Sequence, residues 1–298
     1  MSERTGLGPL DVAILDAVDL LDAGEPVRCS DVLAAVSALD GIDPVTAWPT
    51  LVDLGVPWRR HLPLVELYGH VGSVTGDPPA AAEHVEVRLA DHGVLALAAE
   101  RGEVGPLPLG LVEGTWVAGG PVPPFDPAAV VGALLAGAPD AGPPAPPGGG
   151  TVEGDVAGLL NGASVRLTVG CTIRPEGGNL VITEIPLGVP GGRVFESIVD
   201  RAMKFTEGAD GRSGVPVRRR GSPVVGVLDE TTPHDGVRIL LQLTDRADLL
   251  LARDWLRGVW PVTVELEASL PAPMPERLRS WDRGDGSGLR ALRDLLVA

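Results

Sequence analysis

Arg59, Arg60 and His61 form a short basic run directly after Trp58. Arginine side chains bind phosphate groups through charge-assisted hydrogen bonds, so this run is a candidate contact to a nucleic-acid backbone. A second basic run, RRR at 218–220, has two interpretations: a phosphate contact or a solvated loop. The residue types alone do not separate the two.

His84 and Arg88 lie in a segment that follows Pro78 and Pro79. Because proline is tolerated in the first turn of a helix, PPAAAEHVEVRLADHGVLALAAE predicts a long helix that begins near residue 78. Residues four apart on a helix share a face, so the two side chains are expected to lie together. His84 is open to three interpretations: a nucleophile toward phosphorus, a non-covalent binding group, or an exposed helix residue without a role.

The segment GHVGSVTGD at 69–77 carries closely spaced glycines. Glycine-rich loops cradle phosphate when a lysine and a helix that starts with Ser or Thr follow them, and neither follows here. We therefore interpret Gly69, Gly72 and Gly76 as turn residues that need a positive φ.

The overall charge limits the partners of the chain. The formal net charge is −16 over 298 residues, which argues against a broad DNA-coating surface but not against a local basic groove. Cys29 and Cys171 are too few for a disulfide framework, and without a Cys/His cluster we expect no metal site and no cofactor. No signal-peptide pattern and no membrane-length apolar run is present, so we expect a cytoplasmic protein without membrane contact.

The spacing of apolar residues predicts an α+β fold in two parts. Helices are predicted over 9–24, 30–39 (with Ser30 as N-cap) and 47–54. A linker rich in Pro, Gly and Ala is predicted at 138–150. Beyond it, alternating Val, Ile, Leu and Thr predict strands over 163–173, 179–185, 236–244 and 260–268, with helices over 192–204 and 246–258.

Several blocks of the sequence, taken in order, resemble the A subunits of the type IIA DNA topoisomerases, namely DNA gyrase and topoisomerase IV. LPLVELYGHVGSVTGDPPAAAEHVEVRL at 62–89 resembles the family's glycine motif, its Gly-Asp pair and the small residues that lead into Arg-Tyr-Thr-Glu-x-Arg-Leu. The other similar blocks lie at 107–134, 181–198 and 228–243, and 47–64 is similar to the helix and loop before the glycine motif.

The resemblance implies a winged-helix domain at 1–137, the linker at 138–150, a tower-like α/β domain at 151–272 and a C-terminal tail at 273–298. We expect the protein to lack the family's coiled-coil dimer gate and C-terminal β-propeller. Without that gate, we expect a monomer or a weak homodimer.

The reaction of the family is DNA cleavage by a tyrosine oxygen, assisted by a neighbouring arginine and by magnesium on the B subunit. His84 stands at the tyrosine position and Glu83 at the arginine position. At ~4 Å, the repulsion between a glutamate and a phosphate costs ~1 kcal/mol in water and ~4 kcal/mol at an effective dielectric near 20. Tyr68, the only tyrosine, falls at a glutamine position upstream. These substitutions predict a protein that does not cleave DNA.

Two further sites depart from the family pattern. The family's Tyr-His-Pro-His-Gly-Asp motif at the DNA gate has no counterpart at 36–43, where Asp43 alone fits. In the turn of the tower-like domain Arg193 is retained, but Pro190 and Gly191 replace Asn-Lys. Basic and polar contacts to phosphate are therefore thinned at several places.

Three function hypotheses follow. The first is a non-catalytic module that binds DNA weakly and without sequence preference. The second is a pseudo-subunit that contacts and modulates a gyrase-type A or B subunit, and the third is an active, ATP-hydrolysing topoisomerase subunit that uses His84. The net charge and the thinned basic motifs favour the second slightly over the first, and both over the third. The candidate DNA contacts are Arg59, Arg60, His61, Arg88 and Arg193.

Overall fold

The computed structural model has mixed α and β structure. It describes residues 4–113, 115–117, 120–122, 124–138, 140–186, 188–207, 213–232, 236–244, 247–270, 272–281 and 286–297. Parts of the predicted ranges, among them Pro139 of the linker and 233–235 of the last similar block, lie outside the described residues.

The first part of the chain alternates helices with short strands. In chain order these are α1 (Pro9–Leu21), β1 (Val27–Arg28), α2 (Cys29–Asp40), α3 (Pro44–Gly55), β2 (Val65–Tyr68), β3 (Glu86–Leu89) and α4 (Asp91–Glu100). The strands form an antiparallel sheet in the order β1-β3-β2, and α1, α2 and α3 pack beside it. The helices predicted over 9–24, 30–39 and 47–54 are thus confirmed.

Helix ends follow the local chemistry of the sequence. Asp43 caps α3, because its Oδ1 accepts a hydrogen bond from Val45 N at 2.9 Å. The prediction of Ser30 as an N-cap is wrong: α2 begins one residue earlier, at Cys29, and Arg28 is the N-cap. The hydrogen bond from Cys29 N to Val85 O fixes this earlier start, since it joins the first residue of α2 to the segment before β3.

The long helix predicted from residue 78 is wrong. Residues 78–81 have no regular secondary structure, Ala82–His84 form a single 3-10 turn, and β3 and then α4 follow. Val85 and Val87 are buried while Glu86 and Arg88 are exposed, which is the two-residue period of a strand. His84 and Arg88 therefore do not share a helix face.

The next part carries a short helix, a hairpin and a longer helix: α5 (Leu109–Val112), β4 (Thr115–Val117), β5 (Gly120–Val122) and α6 (Pro127–Ala136). The segment at 140–150 that follows has no helix or regular strand. It is nevertheless held in place, because Ala145 N donates to Pro124 O at 2.9 Å and Phe125 forms a β-bridge with Pro144. Ala141 is buried in the core beneath it.

The part after the linker is richer in strands. Its elements are β6 (Thr151–Gly154), α7 (Val156–Leu160), β7 (Val165–Gly170), β8 (Thr172–Glu176), β9 (Asn179–Glu184), α8 (Gly191–Ala202), β10 (Met203–Glu207), β11 (Ser213–Arg218), β12 (Val224–Asp229), β13 (Ile239–Leu243), α9 (Leu249–Arg257) and β14 (Thr263–Ala268). The strands form antiparallel sheets in the orders β12-β13-β9-β8 and β14-β7-β6, and β10 pairs with β11. The predicted strands and helices of this part are confirmed, except that the strand predicted over 163–173 breaks at Cys171 into β7 and the start of β8, and residue 246 lies outside the described residues.

The molecule has two hydrophobic cores. The first is built on the β1-β3-β2 sheet and its helices and reaches Leu167 on β7. The second lies between the four-stranded sheet and helices α8 and α9, with Ile182, Ile198 and Leu256 among its fully buried members. The free cysteines lie one in each core, and burial raises the pKa of both Cys29 and Cys171 to about 12.

The end of the chain returns to the first core. Residues 273–298, expected as a tail, contain α10 (Met274–Trp281) and α11 (Ser287–Val297). Leu289 and Leu292 of α11 are buried against α4 and α6, and Ser287 Oγ accepts a hydrogen bond from Gly105 N at 2.9 Å. None of the described helices combines the length and the apolar character that a membrane span requires.

A close backbone contact between α4 and the start of β2 generates a stability prediction. A Cβ on Gly93 would lie 1.9 Å from Leu64 O, whereas a Cβ on Gly132 of α6 would meet nothing within 4 Å. We expect Gly93→Ala to destabilise the protein by about 1–3 kcal/mol, because α4 must move away from Leu64. The matched variant Gly132→Ala should instead stabilise it by about 0.5–1 kcal/mol. Urea denaturation measures both, and equal midpoints for the two variants would contradict the contact.

Candidate functional site

The glycine segment at 69–77 is a tight, internally bonded loop. Gly69, Gly72 and Gly76 have φ values of 128°, 89° and 107°, which confirms their prediction as positive-φ turn residues. Ser73 Oγ donates to Asp77 Oδ2 at 2.7 Å and accepts from Asp77 N at 3.1 Å. The polar groups of the loop are thus largely satisfied by one another.

The glycine loop docks on the first turn of α8. Gly191 N donates to Val74 O at 2.9 Å, and Gly192 N donates to Thr75 O at 2.7 Å. A Cβ on Gly192 would lie 2.5 Å from Thr75 O, so the approach requires a residue without a side chain. Two amides that a helix N-terminus would offer to an anion are therefore already used. The sequence analysis missed this contact, for which the Pro-Gly-Gly run at 190–192 was the available signal.

Arg193 follows this docking point on α8. Its guanidinium lies 3.3 Å from Glu196 Oε2, and both side chains are more than half exposed. The pair is one turn apart on the helix surface, where an ion pair contributes a few tenths of a kcal/mol, about 0.2–0.5. The Arg193 side chain is accessible to solvent, but the Glu196 carboxylate lies beside it.

The basic run at 59–61 is split between surface and interior. Arg59 forms an exposed ion pair with Asp53 at 2.6 Å. Only 16% of the Arg60 side chain is exposed, and its nearest carboxylate oxygen, on Asp11, is 4.0 Å away. His61 Nε2 donates to Ala145 O at 2.6 Å, since a carbonyl oxygen can only accept. His61 therefore ties the linker to the first core.

Glu113 organises the backbone beneath this run and was missed by sequence reasoning. Its carboxylate accepts from His61 N at 3.1 Å and from Leu62 N at 2.9 Å. Burial raises the pKa of Glu113, while the guanidinium of Arg60 and the two amides oppose that rise. A lone glutamate 51 residues from its partner in sequence carries no local pattern that would have revealed it.

Arg59, Arg60 and the glycine loop border a cleft of about 390 Å³. Its other walls come from Trp58 and from the 185–190 segment that leads into α8. The carboxylates of Asp53 and Glu113 line the same cleft, and burial raises the pKa of Asp53 against the opposing effect of Arg59. The cleft therefore contains cations and anions in balance, not a basic surface.

Arg88 belongs to an exposed cluster on the β2-β3 hairpin. It lies 2.6 Å from Glu66 Oε2, and its guanidinium carbon is 5.7 Å from the centre of the Tyr68 ring. The Tyr68 hydroxyl donates to Glu66 Oε2 at 2.6 Å. This hydrogen bond, and then Arg88, lower the pKa of Glu66, and the same bond raises the pKa of Tyr68.

His84 and Glu83 are neighbours in the exposed 3-10 turn before β3. Their side chains are 71% and 67% exposed, and His84 Nε2 lies 4.0 Å from Glu83 Oε1. Nucleophilic catalysis requires an activating base or cation within hydrogen-bond reach. In the described part of the chain, the imidazole forms an ion-pair contact with Glu83, which is an anion and not an activating cation. Nor do the described ranges bring three His, Cys, Asp or Glu side chains together in a way that could hold a metal ion.

Arg218 and Arg219 of the run at 218–220 donate hydrogen bonds to backbone carbonyl groups within the fold. Arg219 Nε donates to Asp200 O at 2.9 Å and to Met203 O at 2.8 Å, at the C-terminal end of α8. Carbonyl groups at a helix C-terminus attract cations, so this placement is favourable without a ligand. Arg218 bonds the carbonyl of Ser222 and closes the following turn.

Comparison with known proteins gives partial matches to the A subunits of two DNA gyrases. A segment of 42 residues, 14% of the chain, is 48% identical to the DNA gyrase A subunit of Chlamydia pneumoniae and covers 5% of that protein. A segment of 98 residues, 32% of the chain, is 31% identical to the DNA gyrase A subunit of Chlamydia muridarum (strain MoPn / Nigg) and covers 12% of it. No protein-family model matches the chain. The similarity to these gyrase proteins therefore extends over a small share of their length.

The Tyr68–Glu66 hydrogen bond can be tested by titration. Glu66→Gln removes the anionic acceptor, so we expect the raised pKa of Tyr68 to fall toward the ordinary value of a tyrosine. Tyr68 is the only tyrosine, and the ultraviolet absorbance of tyrosinate reports on it alone. Glu83→Gln makes the same change in charge outside this cluster and should leave the pKa of Tyr68 in place. An unchanged pKa in Glu66→Gln would contradict the contact.

The same cluster gives a pH dependence of stability. Because the folded-state pKa of Glu66 is lowered, its contribution to stability is present above the unfolded-state pKa of about 4.3 and is lost as pH falls through the lowered folded-state value. Tyr68→Phe removes the main cause of the shift, so this loss should be smaller and end at a higher pH. The carboxyl carbon resonance of Glu66, followed by NMR from pH 7 downward, measures the shift directly.

Proposed function

We propose that this protein is a gyrase-A-like pseudo-subunit that does not cleave DNA and that modulates a gyrase-type A or B subunit by protein contact. The observation that carries the proposal is the pairing of cations with carboxylates at the candidate DNA-binding residues. Arg59 pairs with Asp53, Arg88 with Glu66, and Arg193 with Glu196. Of the two remaining candidates, Arg60 lies 4.0 Å from a carboxylate oxygen of Asp11, and His61 donates a hydrogen bond to Ala145 of the linker.

The paired carboxylates argue against DNA binding, because they repel phosphate groups. An exposed ion pair is worth only about 0–1 kcal/mol, so an arginine can leave its partner at small cost. The carboxylate, however, stays beside the phosphate, and such a contact at ~4 Å costs ~1 kcal/mol in water. With a net charge of −16, this repulsion is repeated over the whole surface. Weak, sequence-independent DNA binding is the alternative function.

The order of elements supports the finer fold assignment. Residues 9–89 follow the sequence helix, strand, helix, helix, strand, strand, with an antiparallel sheet in the order β1-β3-β2. This is the arrangement of a winged helix, with the β2-β3 hairpin as the wing, and we assign residues 1–137 to that domain. We assign residues 151–272, which contain the second core, to the tower-like domain, and a monomer or weak homodimer is the expected assembly.

The surroundings of His84 support the absence of catalysis. The imidazole is 71% exposed and has a carboxylate at 4.0 Å, and the contacts of the described residues give it no cation to offset charge on a pentavalent phosphorus. Glu83 would instead oppose that charge. The alternative, an active topoisomerase subunit that uses His84, gains no support from this geometry.

A cleavage assay tests the catalytic part of the proposal. We expect no covalent protein–DNA adduct on a denaturing gel of end-labelled DNA, with magnesium and a gyrase B subunit present. His84→Tyr alone should also give none, because Glu83 remains; Glu83→Arg combined with His84→Tyr should give traces at most. Adducts from the unmodified protein that disappear in His84→Ala would make the protein an enzyme and overturn the proposal.

A salt titration separates DNA binding from partner binding. We expect weak DNA binding with a slope of log K against log salt of roughly −1 to −4, for one to four phosphate contacts at about 0.9 each. Binding to an immobilised gyrase A or B subunit should persist at salt concentrations that abolish DNA binding. If DNA binding persists and neither subunit is retained, the module is a DNA-binding protein instead.

Removing the paired carboxylates sharpens this test. Asp53→Asn with Glu66→Gln frees Arg59 and Arg88 and should tighten DNA binding. Glu25→Gln with Asp254→Asn is a control with the same change in charge at acids away from the arginines of the candidate site. Equal effects of the two double variants would mean that Arg59 and Arg88 make no phosphate contact.

A further inference from the structure

An open groove of about 780 Å³ runs along α1 on the first core. Its apolar walls include Val12 and Leu20 of α1 and Leu39 near the end of α2, and its floor includes Ala17. Arg101, just after α4, borders it. These residues are separate from the cleft beside the glycine loop, so the groove is a second surface.

The groove exposes apolar side chains on two neighbouring helices. Leu20 is 68% exposed and Leu39 is 67% exposed, while Leu7 and Ala17 at the groove are buried. A single exposed leucine is ordinary in a folded protein. Two leucines that line the same concave surface form an apolar strip of the kind that receives one face of an amphipathic helix.

Two aspartates and one arginine line the groove beside this strip. Asp16 and Asp19 line the groove, and Arg101 lies 2.9 Å from the first carboxylate and 2.7 Å from the second. One guanidinium thus faces two carboxylates, which leaves a net negative charge on the rim. The stretch of sequence at 4–45, which supplies α1 and α2, carries eight Asp and Glu residues against two arginines and no lysine.

This charge selects among occupants of the groove. A second copy of the chain would bring the same acidic surface, and nucleic acid or an anionic membrane would also be repelled. A helix with leucine-like residues on one face and Lys or Arg on its flanks complements both the strip and the rim. We propose that the α1 groove binds a basic amphipathic helix of a protein partner, whether or not that partner is a topoisomerase subunit.

Fluorescence anisotropy with labelled synthetic helical peptides tests the proposal. The probe carries Leu at helical spacing with Lys on its flanks; one comparison peptide has Glu in place of Lys, and a second has Ser in place of Leu. We expect saturable binding of the Leu/Lys peptide, and at least tenfold weaker binding of the other two. Equal binding of the Ser/Lys peptide would mean that net charge alone attracts it and would overturn the proposal.

Substitutions within the groove separate docking from general attraction. Leu20→Glu and Leu39→Glu make the protein more acidic, so attraction of a basic peptide by net charge would increase, whereas docking predicts at least tenfold weaker binding. Leu251→Glu on α9 is the matched control, because Leu251 is 69% exposed and lies outside the groove. Its affinity should not fall. Thermal denaturation of each variant verifies that the fold is retained.

Two more results complete the test. Asp16→Asn with Asp19→Asn should weaken binding several-fold and reduce its salt dependence, since Arg101 then faces a basic peptide alone. Sedimentation should give the same species for the unmodified protein and for Leu20→Glu. A concentration-dependent dimer that Leu20→Glu abolishes would identify a second copy as the occupant and overturn the proposal.

Discussion

The backbone contact between the glycine loop and the first turn of α8 is the interaction on which the cleft beside that loop depends. Peptide carbonyls of Val74 and Thr75 receive the amides of Gly191 and Gly192, and the distances leave no room for a side chain at 192. Because both partners are backbone groups, the contact fixes position more tightly than a pair of flexible side chains would. It holds the 185–190 segment against the loop that carries Arg59, and so creates the cleft between them.

Charge in this molecule is used mainly within the fold. Arg219 supports the end of α8, Arg101 joins α1 to the end of α4, and Glu113 holds the backbone of His61 and Leu62. In each case a charged group meets a backbone dipole or an opposite charge, which lowers the cost of its partial desolvation. The acidic excess that remains after this pairing is distributed over the surface, where it discourages phosphate and favours basic partners.

The sequence predicted most of the regular structure but little of the site. Amphipathic spacing identified α1, α8 and α9, and alternation identified the strands β7, β9 and β13. The helix expected from residue 78 failed because Pro78, Pro79 and the alanines after them suggested a helix start, while the alternation from Val85 onward was a strand signal. In the prediction, the helix propensity of the small residues outweighed the two-residue alternation of buried and exposed positions. That alternation becomes decisive only when β3 pairs with β2.

The site was harder to predict, because the residues that contact one another are distant in sequence. The pairing of Arg88 with Glu66 depends on the register of two strands, and the role of Glu113 depends on how two separate segments meet.

The return of α11 to the first core has a consequence for synthesis on the ribosome. Leu289 and Leu292 pack in the same core as Ile14 and Leu15, so that core can close only after residue 292 has been synthesised. The buried residues of the second core lie within 171–262, so that core is complete earlier. The part of the chain that carries it is therefore free to fold first. Until then, part of the apolar surface of the helices in residues 9–100 remains uncovered. At that stage of synthesis a chaperone would engage this protein.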